Sequence, residues 1–336
     1  MTRKYYLDNL KVLLTALVVF HHSGLAYGDG GGWAYSPSNP NEFMPWIWHF
    51  FSTNAAFFMG LFFMISGYFV PQSYDRQGFV QFISKKALRL LVPFALITAF
   101  LSAVNGSPES GHTWFLSSLF LFSLIYALTR LVCKNCTNGK TLQLNMVVIA
   151  VFAIVMGVGS YFIRQFYSQD KWVFFGVFKF EPAHYLQYMM MFVIGVFAGR
   201  FNWFERMTNR TGLCALAVGV LLCVGNYIRG NGAWSGFVWR WFGIYESFLC
   251  VTLCIGLVWL FRQIGNWDGK FWQWCSQQAY GAYIVHLFLI LIFQNLLDTV
   301  WVGAFGKFML ISILSTVTSF VLTWFLRMIP GVKKVL

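Results

Sequence analysis

The chain has 336 residues, of which 58% are hydrophobic, 20% aromatic and only 10% charged. A soluble domain carries about 25% charged residues, so this chain cannot cover a water-facing surface and reads as an all-α, polytopic membrane protein. The basic excess, 24 Lys and Arg against 11 Asp and Glu, is better explained by membrane topology than by nucleic-acid binding, and no nucleic-acid partner is expected.

Ten apolar segments are each long enough to cross about 30 Å of hydrocarbon. They run roughly over 8–28, 46–70, 87–104, 113–133, 143–163, 183–200, 211–229, 241–261, 277–297 and 307–328. The basic groups sort onto alternating loops. Arg3, Lys4, Lys11, Arg76, Lys85, Lys86, Arg89, Arg130, Lys134, Lys140, Arg200, Arg206, Arg210, Arg262, Lys270, Arg327, Lys333 and Lys334 fall on the side of the N-terminus, while Arg164, Lys171, Lys179, Arg229, Arg240 and Lys307 fall on the other. The bias is about three to one and predicts that both termini are cytoplasmic. The first segment is expected to stay as a span and not to be cleaved as a signal, because Asp8 and Lys11 stand at its mouth and His21 and His22 lie within it. No stretch outside the spans is long enough to bury a core of its own, so residues 1–336 are expected to form one membrane domain.

At 100° per residue, Asp8, Lys11, Thr15 and His22 share one stripe of the first helix, and His21 lies about 100° away from His22. The count selects His22 as the inward histidine and turns His21 toward a neighbouring helix. Asp8 is placed to cap the helix start. His22 lies about 21 Å along the helix from Asp8, in the outer half of the membrane. An ionisable group at such depth is a functional hypothesis by default. His49, His112, His184 and Glu246 also fall at the outer ends of spans. His286, if its helix starts near Ala279, lies about 10 Å from the cytoplasmic side, where a structural role weighs at least as much as a functional one.

The first outer loop, from Gly28 to Asn41, is rich in Gly and Pro and reads as flexible. The connection from Arg164 to Glu181 is aromatic and reads as an interfacial belt, with a lid or sugar-stacking surface as the functional alternative. Lys85, Lys86 and Arg89 form a cationic cluster read as the start of the third helix, suited to a polyphosphate arriving from the cytoplasm. Of the seven cysteines, Cys133-x-x-Cys136 is a lone pair without a nearby histidine, and no metal is expected.

Together these segments resemble the integral-membrane acyltransferases of the acyltransferase 3 family. Lys11 followed after ten residues by His22 is similar to its opening motif, in which arginine precedes the histidine by eleven positions. The apolar run ending in Ser66-Gly67-Tyr68, the Lys86-x-x-Arg89-Leu90-x-x-Pro93 segment, the His112-x-Trp114-Phe115-Leu116 box, Gly195-x-x-x-Gly199 and Tyr280-Gly281-x-Tyr283-x-x-His286 resemble later family segments. Lys11 and Lys86 stand where the family usually has arginine, which keeps the charge but loses the bidentate fork.

The resemblance implies an acyl-CoA donor, most simply acetyl-CoA, and an acceptor hydroxyl on a carbohydrate or glycolipid of a bacterial cell envelope. The inner membrane is the expected location and a homo-oligomer is compatible with the chain. On this reading His22 is the general base, Glu246 the group that orients it, and His112 an oxyanion donor. Lys11, Lys85, Lys86 and Arg89 hold the donor. The rival drawn from the same intramembrane histidines is a proton-coupled transporter or exporter.

Overall fold

The structure, a computed structural model, describes residues 3–28, 33–133, 143–169, 171–228 and 240–336. The helices are α1 (Tyr5–Gly24), α2 (Ile47–Asn105), α3 (Trp114–Val132), α4 (Met146–Ile163), α5 (Pro182–Phe201), α6 (Trp203–Arg206), α7 (Asn209–Ile228), α8 (Phe242–Ile264), α9 (Lys270–Leu296) and α10 (Gly303–Leu326). Between α4 and α5 the strands β1 (Val173–Phe175) and β2 (Phe178–Phe180) pair antiparallel, with Phe174 opposite Lys179. The aromatic connection therefore folds into a hairpin, and Phe174, Phe175 and Phe178 remain exposed on it.

Among the described residues, eight helices are long and apolar enough to cross a bilayer, which makes the chain an all-α, multi-pass membrane protein. The longest of the eight, α2, carries two of the ten expected segments. It is interrupted at Gly78, whose φ of 71° is open to glycine but strained for other residues, so the chain can change direction there without leaving the helical ladder for long. Pro71 and Pro93 each remove a further donor from α2. The sixth expected segment is α5, whose His184, Gln187 and Arg200 leave it less apolar than the eight.

The chain divides into two compact units. One comprises Met1–Phe58 and Phe261–Lys334, the other Met59–Leu260. In the first unit α1 packs on α9 and α10. Val19, Tyr27, Ile47, Ile290, Phe308 and Ile311 form its buried core near one end. In the second unit α2 and α5 approach backbone to backbone. A Cβ on Gly195 or Gly199 would run into the carbonyl of Met64 or Tyr68, which is what the small-xxx-small spacing achieves where lipid supplies no hydrophobic drive.

The start of α1 departs from expectation. The helix begins at Tyr5, so Asp8 sits inside its first turn and is not the N-cap. Asp8 instead accepts Arg3 and Lys11, each at 2.8 Å, and still opposes the helix dipole.

Candidate active site

In the first unit the histidine pair of α1 splits. His21 turns to Phe51 and Phe58 of α2, with ring centroids 5.2 and 5.1 Å away. His22 turns to α9, where its Nδ1 lies 3.3 Å from Nε2 of His286. Thr15, on the same stripe, donates to the Lys11 carbonyl at 2.9 Å and lies 3.5 Å from the Ala279 carbonyl of α9.

His286 lies deeper in its helix than the apolar pattern suggests. The helix starts at Lys270, not near Ala279, so His286 lies sixteen residues in, about 24 Å along the axis, which is also about the depth of His22 in α1. Residues 270–276, which precede the expected segment of 277–297, belong to the helix.

Hydrogen bonding sets the tautomers of the dyad. His286 is fully buried and its Nδ1–H donates to the Tyr283 carbonyl at 2.6 Å. A carbonyl can only accept, so His286 Nε2 carries a lone pair. His22 Nδ1–H likewise donates to the Val18 carbonyl at 2.9 Å and is shared with His286 Nε2. Both rings thus hold their proton on Nδ1, and the basic nitrogen left to His22 is Nε2.

The loop expected to be flexible is held in place over the segment that is described. Asp29 to Gly32 lie outside the described residues. From Trp33 onward the loop is pinned to the ends of α9 and α10. Tyr35 and Ser38 donate their hydroxyls to the Asp298 carboxylate at 2.6 and 2.5 Å. Buried Lys307 pairs with buried Glu42 at 2.8 Å and donates to the Asp298 carbonyl. The hydroxyls of Ser38 and Tyr35, with the Ser38 N–H, hold the Asp298 carboxyl down to about 2. This anchor is intact above the ordinary carboxylate range and is lost only as pH falls toward that value.

The second unit holds the other expected residues. Lys85 and Arg89 are exposed, and Lys86 is half-buried with its Nζ 5.7 Å from the centre of the Phe82 ring. These residues do not open a helix. They lie more than one turn past the break at Gly78, so the dipole argument for anion binding falls away and their own charges remain. Lys11, in the first unit, shares its charge with Asp8.

His112 is buried in a short 3-10 turn, Gly111–Thr113, that leads into α3. The adjoining Trp114 stacks on Tyr188 and meets Trp172 edge-on. Outside the spans, burial pushes the Glu109 carboxyl up, but Lys179 at 2.6 Å and the Gly111 N–H outweigh it and hold the group below its usual range.

Glu246 is buried and both of its oxygens are engaged. Oε2 accepts Arg164 and Oε1 lies 3.2 Å from Nε2 of His184. His184 Nδ1 in turn lies 2.9 Å from Glu181. Both Glu246 oxygens thus serve a four-residue cluster, Arg164, Glu181, His184 and Glu246, that joins α4, α5 and α8. Arg164, His184 and Glu181 are the residues that sequence reading missed as a group. Their signal was the flanking of the aromatic connection by Arg164 and Glu181. Cys133 is exposed, and its expected companion Cys136 lies outside the described residues.

The family model described as acyltransferase domain, of the acyltransferase 3 type, matches residues 4–327 and so takes in both units. The chain belongs to the acyltransferase 3 family. Among the relatives of this acyltransferase are proteins named glucans biosynthesis protein C from Escherichia coli O9:H4 (strain HS) and Escherichia coli (strain SE11). Each is 24% identical over 337 residues, covering 90% of this chain and 84% of the relative. No solved structure matches the acyltransferase. Family membership favours acyl transfer over the proton-coupled carrier that the same intramembrane histidines suggest.

Proposed function

We propose that the protein transfers an acyl group, most simply acetyl, from acyl-CoA to a hydroxyl of a cell-envelope carbohydrate or glycolipid, with His22 as general base. The observation that carries this reading is the His22–His286 dyad, which leaves His22 Nε2 as the basic nitrogen. Nε2 takes the proton of the acceptor hydroxyl as its oxygen attacks the thioester carbonyl. The tetrahedral intermediate then collapses and expels the CoA thiolate, which the same nitrogen protonates. Nδ1–H of the imidazolium donates to the Val18 carbonyl and His286 Nε2, so His286 acts as a positioning residue. His112 is assigned the oxyanion, as a buried donor at the start of α3.

The donor's phosphates are assigned to Lys85, Lys86 and Arg89 on the cytoplasmic side that the charge bias indicates. Lys11 stands at the same end of α1 as the termini, about 16 Å along the helix from His22, a span suited to an extended pantetheine arm. The name of the Escherichia coli relatives, glucans biosynthesis protein C, supports a carbohydrate acceptor.

The test is purified protein with labelled acetyl-CoA and a glucose oligosaccharide. Label is expected in the sugar, and a protein that neither transfers the label nor hydrolyses the thioester would refute the reading. The double variant Lys86→Ala with Arg89→Ala is expected to raise the donor KM about tenfold or more, the scale of one charged hydrogen bond to phosphate. An unchanged KM would leave the cluster with a topological role alone.

A further inference from the structure

The first loop places one large flat side chain beside the base. The Trp33 ring centre lies 6.0 Å from that of His22, with the two planes tilted by 35°. The indole is not free to swing. Its Nε1–H donates to Gln294 Oε1 at 2.9 Å, and Gln294, fully buried, donates its own amide to the Ser23 carbonyl at 3.3 Å. Ser23 directly follows His22, so a short circuit of hydrogen bonds ties the orientation of the indole to the backbone that carries the base.

The rest of the loop supports this circuit. Two residues on, Tyr35 is held by Asp298, and Met44 N–H donates to the Tyr27 carbonyl at 2.7 Å. Part of the Trp33 side chain stays exposed. An indole whose N–H is already used offers a ligand its apolar face and nothing else. Such a face suits a hexopyranose whose hydroxyls are equatorial, because the axial C–H bonds of that ring form flat apolar faces of similar size. Equatorial hydroxyls point outward in the plane of the sugar. A sugar lying about 4 Å above the indole therefore directs a hydroxyl sideways, and a general base must come within about 3 Å of the oxygen it deprotonates. The His22 ring, its centre 6.0 Å from that of the indole, is close enough to the platform to serve as that base.

We infer that Trp33 is the acceptor platform of the site, stacking a gluco-configured pyranose so that one of its equatorial hydroxyls faces His22. The inference rests on the acyl-transfer reading for the reaction, but the stacking itself can be judged without it.

The experiment compares the parent protein with Trp33→Ala and Trp33→Phe, using a β-linked glucose oligosaccharide as probe. Calorimetric binding is measured without donor, and steady-state transfer is measured with labelled acetyl-CoA. Trp33→Ala is expected to weaken sugar binding, and to raise the sugar KM, about tenfold or more, with Trp33→Phe keeping most of the affinity because it keeps a flat face. The loss falls on KM for the sugar and not on kcat at saturating sugar. Equal binding by the parent and Trp33→Ala overturns the inference, as does a parent that does not bind the sugar. A loss confined to kcat overturns it too, since that would make Trp33 a support for His22. If no acetyl transfer or thioester hydrolysis is found in any variant, the acyl-transfer reading fails, while the binding comparison still decides the platform.

Discussion

His22→Ala is expected to lower kcat for acyl transfer by about 100-fold or more while the protein stays inserted and folded, since a positioned general base contributes about 10²–10⁴. The loss should appear at saturating donor and saturating acceptor, because His22 is assigned to the chemical step. Full activity in this variant would remove the base from the mechanism.

The companion test concerns His286, whose Nε2 receives the His22 Nδ1–H. His286→Leu fills the space but cannot accept, whereas His286→Gln offers an amide oxygen. Gln is therefore expected to retain about ten times the kcat of Leu, roughly the worth of one hydrogen bond to a group that becomes charged. A purely structural role for this buried residue would make both variants equally active per folded molecule, with any difference confined to melting temperature.

The elements that carry this dyad differ in how legible they are. Helical periodicity separates His22 from His21, because the angle between consecutive residues is a local property of any helix. The same local reasoning places most of the spans. It fails at α9, where the polar and aromatic residues from Lys270 to Ser276 dilute the apolar pattern yet are helical, and the missed turns shift His286 in depth by about 13 Å. Which side chain on α9 then meets His22 depends on the register of two helices far apart in sequence, and nothing local encodes it.

The first loop fails for the same reason. Pro37, Pro40 and its glycines suggest mobility, but Asp298 and Lys307 fix residues 33 to 44 from more than 250 positions away. At Lys85, Lys86 and Arg89 the charges are legible, but the apparent helix start is not, because Gly78 sets the break earlier than the apolar pattern does.

The second large effect is expected at Glu246, and it separates a structural from a catalytic role. Glu246→Gln keeps the shape of the side chain and removes its charge. Arg164 and His184, both nearly buried, then face a neutral amide that cannot answer two donors at once. Breaking a buried pair by removing one partner costs about 3–5 kcal/mol, because the remaining charge is left uncompensated. The expected result is a large fall in melting temperature in detergent and poor yield, with near-normal kcat per folded molecule. If Glu246 acted through His22, kcat would fall and the melting temperature would hold.

The double variant Arg164→Gln with Glu246→Gln sharpens the point. It removes both charges of the closest pair and should recover part of the stability lost by Glu246→Gln alone, a coupling that the double-mutant cycle reads directly. Recovery is incomplete because His184 still lies 2.9 Å from Glu181 and has lost its second carboxylate. Arg164 and Glu181 are also the two ends of the aromatic hairpin connection, with β1 and β2 between them. Loss of the cluster should therefore loosen the hairpin before the helices, and amide exchange along residues 171–180 should rise in Glu246→Gln under conditions where exchange in α4 and α8 does not.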